Sequence, residues 1–145
     1  MVPFLNPARL PAASPFSHSQ FDEMLQYYVN DDGLVRDAVL SKNRVQLDAY
    51  IDSLARYSPE SHPQRFASSA HSLAYWINAY NAYVIKGIVD AYPIASVKDA
   101  FHFSGFFNRQ KFIAGGRELT LDDVEKGIIR PDFREPRIHL SLIHI

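Results

Sequence analysis

The sequence contains no cysteine. Within these 145 residues that excludes disulfides, thiolate metal sites and a thiol nucleophile. Long apolar runs are missing too. No stretch approaches the ~20 apolar residues of a membrane span, and residues 1–16 hold no apolar core of the kind a signal peptide needs. Neither sign of charge dominates: the formal net charge is −1, with 8 basic and 10 acidic side chains in residues 1–100 and 7 and 6 in residues 101–145. No global field attracts nucleic acid or an anionic membrane, so neither is expected as a partner. Phosphate-loop and dinucleotide fingerprints are absent, since neither GxGxxG nor GxxxxGK occurs. No cofactor is expected. The six histidines (His18, His62, His71, His102, His139 and His144) show no HxxxH spacing, so no metal site is expected either.

What is present suits one domain. Hydrophobic residues make up 47% and charged residues 21% of the chain, an ordinary globular balance. Residues 1–16 hold four of the nine prolines and read as a leader or linker. Ser17 or Ser19 then offers an N-cap for a short helix over Phe21, Met24, Leu25 and Tyr28, ended by the turn Asn30-Asp31-Asp32-Gly33. Val45, Leu47, Tyr50, Ile51 and Leu54 recur at helical spacing and predict a second helix over 42–57. A third, over 67–91, carries two apolar stripes, one on Leu73, Trp76, Ile77, Tyr80, Val84 and Ile88. The other runs through Ala74, Asn78, Asn81, Ile85 and Val89. A helix apolar on nearly every side is central, with neighbours all round. Ser96 would cap a short helix over 95–100, and an aromatic cluster follows at Phe101, Phe103, Phe106 and Phe107. Gly115-Gly116 sits between 111–114 and 117–120 and predicts a tight β-hairpin. Thr120 should cap the next helix together with Asp123, and that helix should stop before Pro131. A last strand over 137–140 should pair with the hairpin. The fold class is α+β, mostly helical, with a central buried helix, one hairpin and a C-terminal strand.

A few residues carry chemistry. Asn78 and Asn81 are amides in the most buried helix, where an unmet hydrogen bond costs ~1–3 kcal/mol. Either they tie that helix to its neighbours, or one of them orients a reacting or bound group. Trp76 reads first as core and, in a binding role, as a platform. His139, on a strand after a proline-punctuated loop, is placed as a general base could be. Glu125, at the inner edge of its helix, either pairs with Arg130, Arg134 or Arg137 or orients an imidazole.

Three segments then fall together: YWINAYNAYVIKGIVDAYPIASVKD, FFNRQKFIAGGRELTLDDVEKGIIRP and PRIHLSL. In combination they closely resemble the bacterial proteins grouped as domain of unknown function 547, from about residue 16 to residue 140. That family continues past its histidine strand with a cysteine-containing segment. The resemblance therefore implies a thiol site on an incomplete, permuted papain-like fold. The parent would then be a cysteine-dependent hydrolase or acyl transferase acting on a peptide or a thiol-containing small molecule. On this reading His139 activates the cysteine and Glu125 or Asn81 orients it. Trp76, Asn78, Asn108 and Arg109 would hold the substrate. The competing reading is a non-catalytic ligand- or protein-binding module built on Trp76, the 101–107 aromatics and the two asparagines.

Two departures from the family pattern matter. Where relatives often carry an acidic residue and glutamine before the W-I-N motif, this chain has His71 and Ser72. Its ending, Leu-Ser-Leu-Ile-His-Ile, loses the pattern and resembles translated adapter sequence from a metagenomic gene call. The expectation is a C-terminally truncated member: a leader over 1–16, a partial domain over 17–140 and a non-native tail over 141–145, inactive in any cysteine mechanism. Compartment and oligomeric state are not legible.

Overall fold

The computed structural model describes residues 14–33, 36–40, 42–91 and 110–133. They form α1 (Ser19–Tyr28), α2 (Asp37–Leu40), α3 (Val45–Arg56), α4 (Ser69–Ala91), β1 (Lys111–Ala114) and β2 (Arg117–Thr120). A π-helical segment (Asp123–Ile129) and α5 (Arg130–Phe133) follow. The class is α+β, mostly helical with one antiparallel hairpin. The short helix expected over 95–100, the aromatic cluster over 101–107 and the strand over 137–140 lie outside the described residues.

The core sits around α4. Ser68 caps this helix, its Oγ accepting the His71 N–H at 3.3 Å. Tyr75, Ala79 and Ala82 are wholly buried, and Trp76, Tyr80, Val84 and Ile85 are nearly so. Helices α2 and α3 and the π-helical segment all pack on α4, which is why so many of its sides are apolar. From α3 come Leu47, Tyr50 and Leu54, spaced so that they share one helix face. Burying each of the two leucines contributes about 1.5–3 kcal/mol. Phe21 and Met24 of α1 cover them, with the Phe21 ring stacked on Tyr50 at 4.8 Å.

The hairpin is as expected, with Phe112 opposite Leu119 and Ala114 opposite Arg117. Gly115 and Gly116 have φ of 56° and 83°, the pair of positive values a two-residue turn of this twist requires. Their N–H groups also donate to the Leu54 and Ala55 carbonyls, each at 2.9 Å. Those carbonyls belong to the last turn of α3, where no intrahelical partner exists. The hairpin turn thus caps a helix. The Tyr75 hydroxyl donates to the same Leu54 carbonyl at 2.7 Å, and the Tyr83 hydroxyl donates to the Ile113 carbonyl at 2.7 Å. The hairpin is therefore held on both α3 and α4.

Three local expectations need correction. The N-cap position of α1 is His18, with no side-chain cap bond, and not Ser17 or Ser19. Ser17 Oγ accepts the N–H of Ser19, the first residue of the helix, at 3.2 Å, and the His18 ring turns to the Tyr50 hydroxyl instead of capping. Val45, counted in the apolar stripe of α3, is 81% exposed, since it opens the helix a half-turn from the buried face set by Leu47. The helix after the hairpin runs past Pro131 to Phe133. Ahead of the proline the ladder has widened, with the Arg130 N–H bonded to the Glu125 carbonyl five residues back. That wider turn relieves the clash a proline ring makes with the usual i−4 carbonyl. The start of the segment follows expectation. Asp123 N–H donates to Thr120 Oγ1 at 3.1 Å, and Thr120 N–H donates to Asp123 Oδ2 at 2.9 Å. The reciprocal pair also holds the Asp123 carboxyl below its ordinary range.

Candidate functional site

Two places on α4 combine concavity or charge with burial. The first is a cleft of about 280 Å³ where α4 faces α3 and the hairpin. Ile51 and Ala55 of α3 form one wall, and Tyr83, Lys86 and Gly87 of α4 form another. Residues 110–113 and Leu121 close it. Its floor is rigid: the Tyr83 and Phe112 rings stack with centroids 3.6 Å apart, and Tyr83 is pinned by its bond to Ile113. Burial, with the nearby Asp52 charge, pushes the Tyr83 hydroxyl well above its usual range, so it stays a neutral donor.

Lys86 does not stand alone at the cleft. Its ammonium pairs with Asp90, one turn further along α4, and Asp90 Oδ1 also accepts from Arg44 at 2.7 Å. Arg44 in turn reaches Asp48 at 3.3 Å. Lys111, the second cation lining the cleft, sits 3.8 Å from Glu118, with both side chains exposed.

The second place lies where α4 meets the π-helical segment. Glu125, expected to pair with one of three arginines, pairs with Arg130, and its side chain is 16% exposed. The widened turn brings it near Tyr80. Burial pushes the Tyr80 hydroxyl far above its usual range, and the Glu125 and Asp122 carboxylates add to the rise. Asn81, the next residue on α4, has its Oδ1 buried with no hydrogen-bond partner among the described residues.

Of the residues singled out in the sequence, Glu125 and Asn81 thus lie on elements packed against each other. His139, Asn108 and Arg109 lie outside the described residues. Trp76 is 3% exposed and meets Tyr75 edge-on at 5.0 Å, while Asn78 is half-buried. No group of three or more metal-ligating side chains occurs among the described residues. The cleft itself was missed. Its one local sequence signal is Lys86 four residues before Asp90. Arg44 and the hairpin wall are remote in sequence.

These elements and motifs agree with a comparison across protein families. A family described as "Protein of unknown function, DUF547" matches residues 64–144, more than half of the chain. The match takes in α4, the hairpin and the π-helical segment. The chain belongs to the DUF547 family. No curated protein and no solved structure matches it.

Proposed function

We propose that this domain is a binding module and that the cleft between α3, α4 and the hairpin is its ligand site. One observation carries the reading. The cleft is walled mainly by apolar side chains on rigid elements, with a few polar groups at its margin, and contains no histidine or carboxylate. That is the make-up of a small-molecule site, and its volume of about 280 Å³ lies just below the usual range of about 300–1,000 Å³. A small molecule, or the apolar end of a peptide, is the class of partner that fits.

Titration of the chain with octanol, read through backbone amide shifts, tests this. The expected result is a saturable change centred on Ile51, Tyr83 and Phe112 that disappears in Ala55→Phe, which fills the cleft. Shifts that never saturate, or that persist in Ala55→Phe, would sink the reading.

A second reading is favoured by a separate observation, the half-buried Glu125–Arg130 pair beside Tyr80 and the unpartnered Asn81 oxygen. Here the family domain is a cysteine-dependent hydrolase or acyl transferase, with Glu125 or Asn81 orienting the reacting group and His139 as base. The 145 residues supply no thiol, so that chemistry needs a cysteine from outside them. Thiol-probe labelling of a longer family protein, lost on cysteine-to-serine replacement, would support it. Unchanged activity after that replacement would end it.

A further inference from the structure

We infer that the ligand of the cleft is a small monocarboxylate, its apolar body lying on the Tyr83–Phe112 floor and its carboxylate facing Lys86 and Lys111. The inference rests on the reading of the cleft as a ligand site and adds a charge to it. The side chains lining the cleft include two lysines and the Gln110 amide but no acid, so the margin is complementary to an anion.

Lys86 is the better placed of the two. Asp90 fixes its ammonium, but an ammonium has three donors and one carboxylate does not use them all. Asp90 is also shared with Arg44, which has Asp48 as well, so the Lys86 ammonium has only a share of one carboxylate. Apolar walls beside that charge lower the local dielectric and strengthen any pairing with an incoming anion. Lys111 adds a second, more exposed cation whose contact with Glu118 is long and so weakly held.

Size decides the class of carboxylate. At about 30 Å³ per water-sized group, a 280 Å³ cleft holds about nine such groups. That suits a medium-chain fatty acid or a small aromatic acid.

Octanoate and octanol differ in little but the head group, and calorimetric titration of the whole chain with each separates the charge from the cleft. Octanoate should bind about tenfold more tightly than octanol, the difference expected of a charge-assisted contact. The double variant Lys86→Gln, Lys111→Gln should abolish the difference, octanoate then binding no more tightly than octanol. Asp90 keeps its pairing with Arg44 in that variant. Lys126→Gln removes a cation that pairs with Asp122 and does not line the cleft, and it should alter neither ligand. Equal affinities for the two ligands, or lysine variants that weaken both alike, would overturn the carboxylate inference while leaving the cleft as a site. Failure of both ligands to bind would remove the site and the inference together.

Discussion

Where the hairpin turn meets the end of α3, the buried polar groups find partners inside the fold. The Leu54 carbonyl has Gly115 N–H and the Tyr75 hydroxyl, and the Ala55 carbonyl has Gly116 N–H. Ser58, 1% exposed, exchanges bonds with Ser61. Where α4 meets the π-helical segment the picture differs. A half-buried ion pair faces a tyrosine, and Asn81 Oδ1 has no partner among the described residues. Both regions are built on the same helix. The first spends its polar groups on holding elements together, so removing any one of them should cost stability. The second holds a buried polar atom with no hydrogen bond among the described residues, so removing it should cost little.

The sharpest test of the framework side is Gly115→Ala. Its φ of 56° already disfavours a side chain, and an added Cβ would collide with Ser58 Oγ and lie 2.5 Å from Ser61 Oγ and 2.6 Å from Ser58 Cβ. Strain and overpacking together should cost about 3 kcal/mol, read as a lower urea midpoint. Gly116→Ala is the internal control: φ is 83° but no atom lies within 4 Å of the new Cβ, so the loss should be about 1 kcal/mol. Equal losses at the two glycines would mean that the turn does not press on the serine loop, and the framework would be looser than described.

Tyr75→Phe comes next. It removes a fully buried hydroxyl from the Leu54 carbonyl while keeping the ring, and should cost about 1–1.5 kcal/mol in the same assay. The carbonyl keeps the Gly115 N–H, which limits the damage.

How much of this was legible follows from the range of the interactions. The hairpin, the Thr120–Asp123 cap, the Asn30 turn and the central helix are written in residues a few positions apart, and sequence patterning found them. The clamp of Gly115 on Leu54 joins residues about sixty positions apart, and the Lys86–Asp90–Arg44 set spans more than forty. No local pattern encodes such pairings. Pro131 misled for a related reason. Its helix-ending rule assumes a regular ladder, and the π-helical widening that evades the rule depends on packing against α4. On the candidate site, Glu125 and its arginine were visible as an ion-pair option, while the cleft was invisible because its walls come from three distant elements.

One framework contact can be switched by pH. His18 Nδ1 lies 2.7 Å from the Tyr50 hydroxyl, with Phe16 packed edge-on at 5.0 Å. Burial lowers the His18 pKa from its ordinary 6.5; Asp22 opposes the shift and His71 adds to it. A depressed histidine pKa means the unfolded chain takes up a proton before the folded one does. Stability is therefore complete above 6.5 and is lost as pH falls from there toward the folded value. Urea midpoints at about pH 7.5 and about pH 5.5 should show the drop, and His18→Gln should flatten the part of it that belongs to this residue. An unchanged slope in the variant would assign the pH dependence elsewhere.

The smallest expected effect bears most directly on the comparison. Asn81→Leu replaces a side chain of similar length and removes the unpartnered oxygen. Losing a bonded amide from a buried site costs about 1–3 kcal/mol, because its former partners are left unmet. Losing an unbonded oxygen carries no such cost, and added apolar contact offsets part of whatever the second amide atom contributed. The midpoint should stay within about 0.5 kcal/mol of the parent or rise. A loss as large as that of Tyr75→Phe would place Asn81 in the framework, and the two regions would no longer differ. A neutral result combined with weakened binding or activity in a longer family protein would instead separate Asn81 from folding, as a residue kept for what it contacts rather than for what it holds.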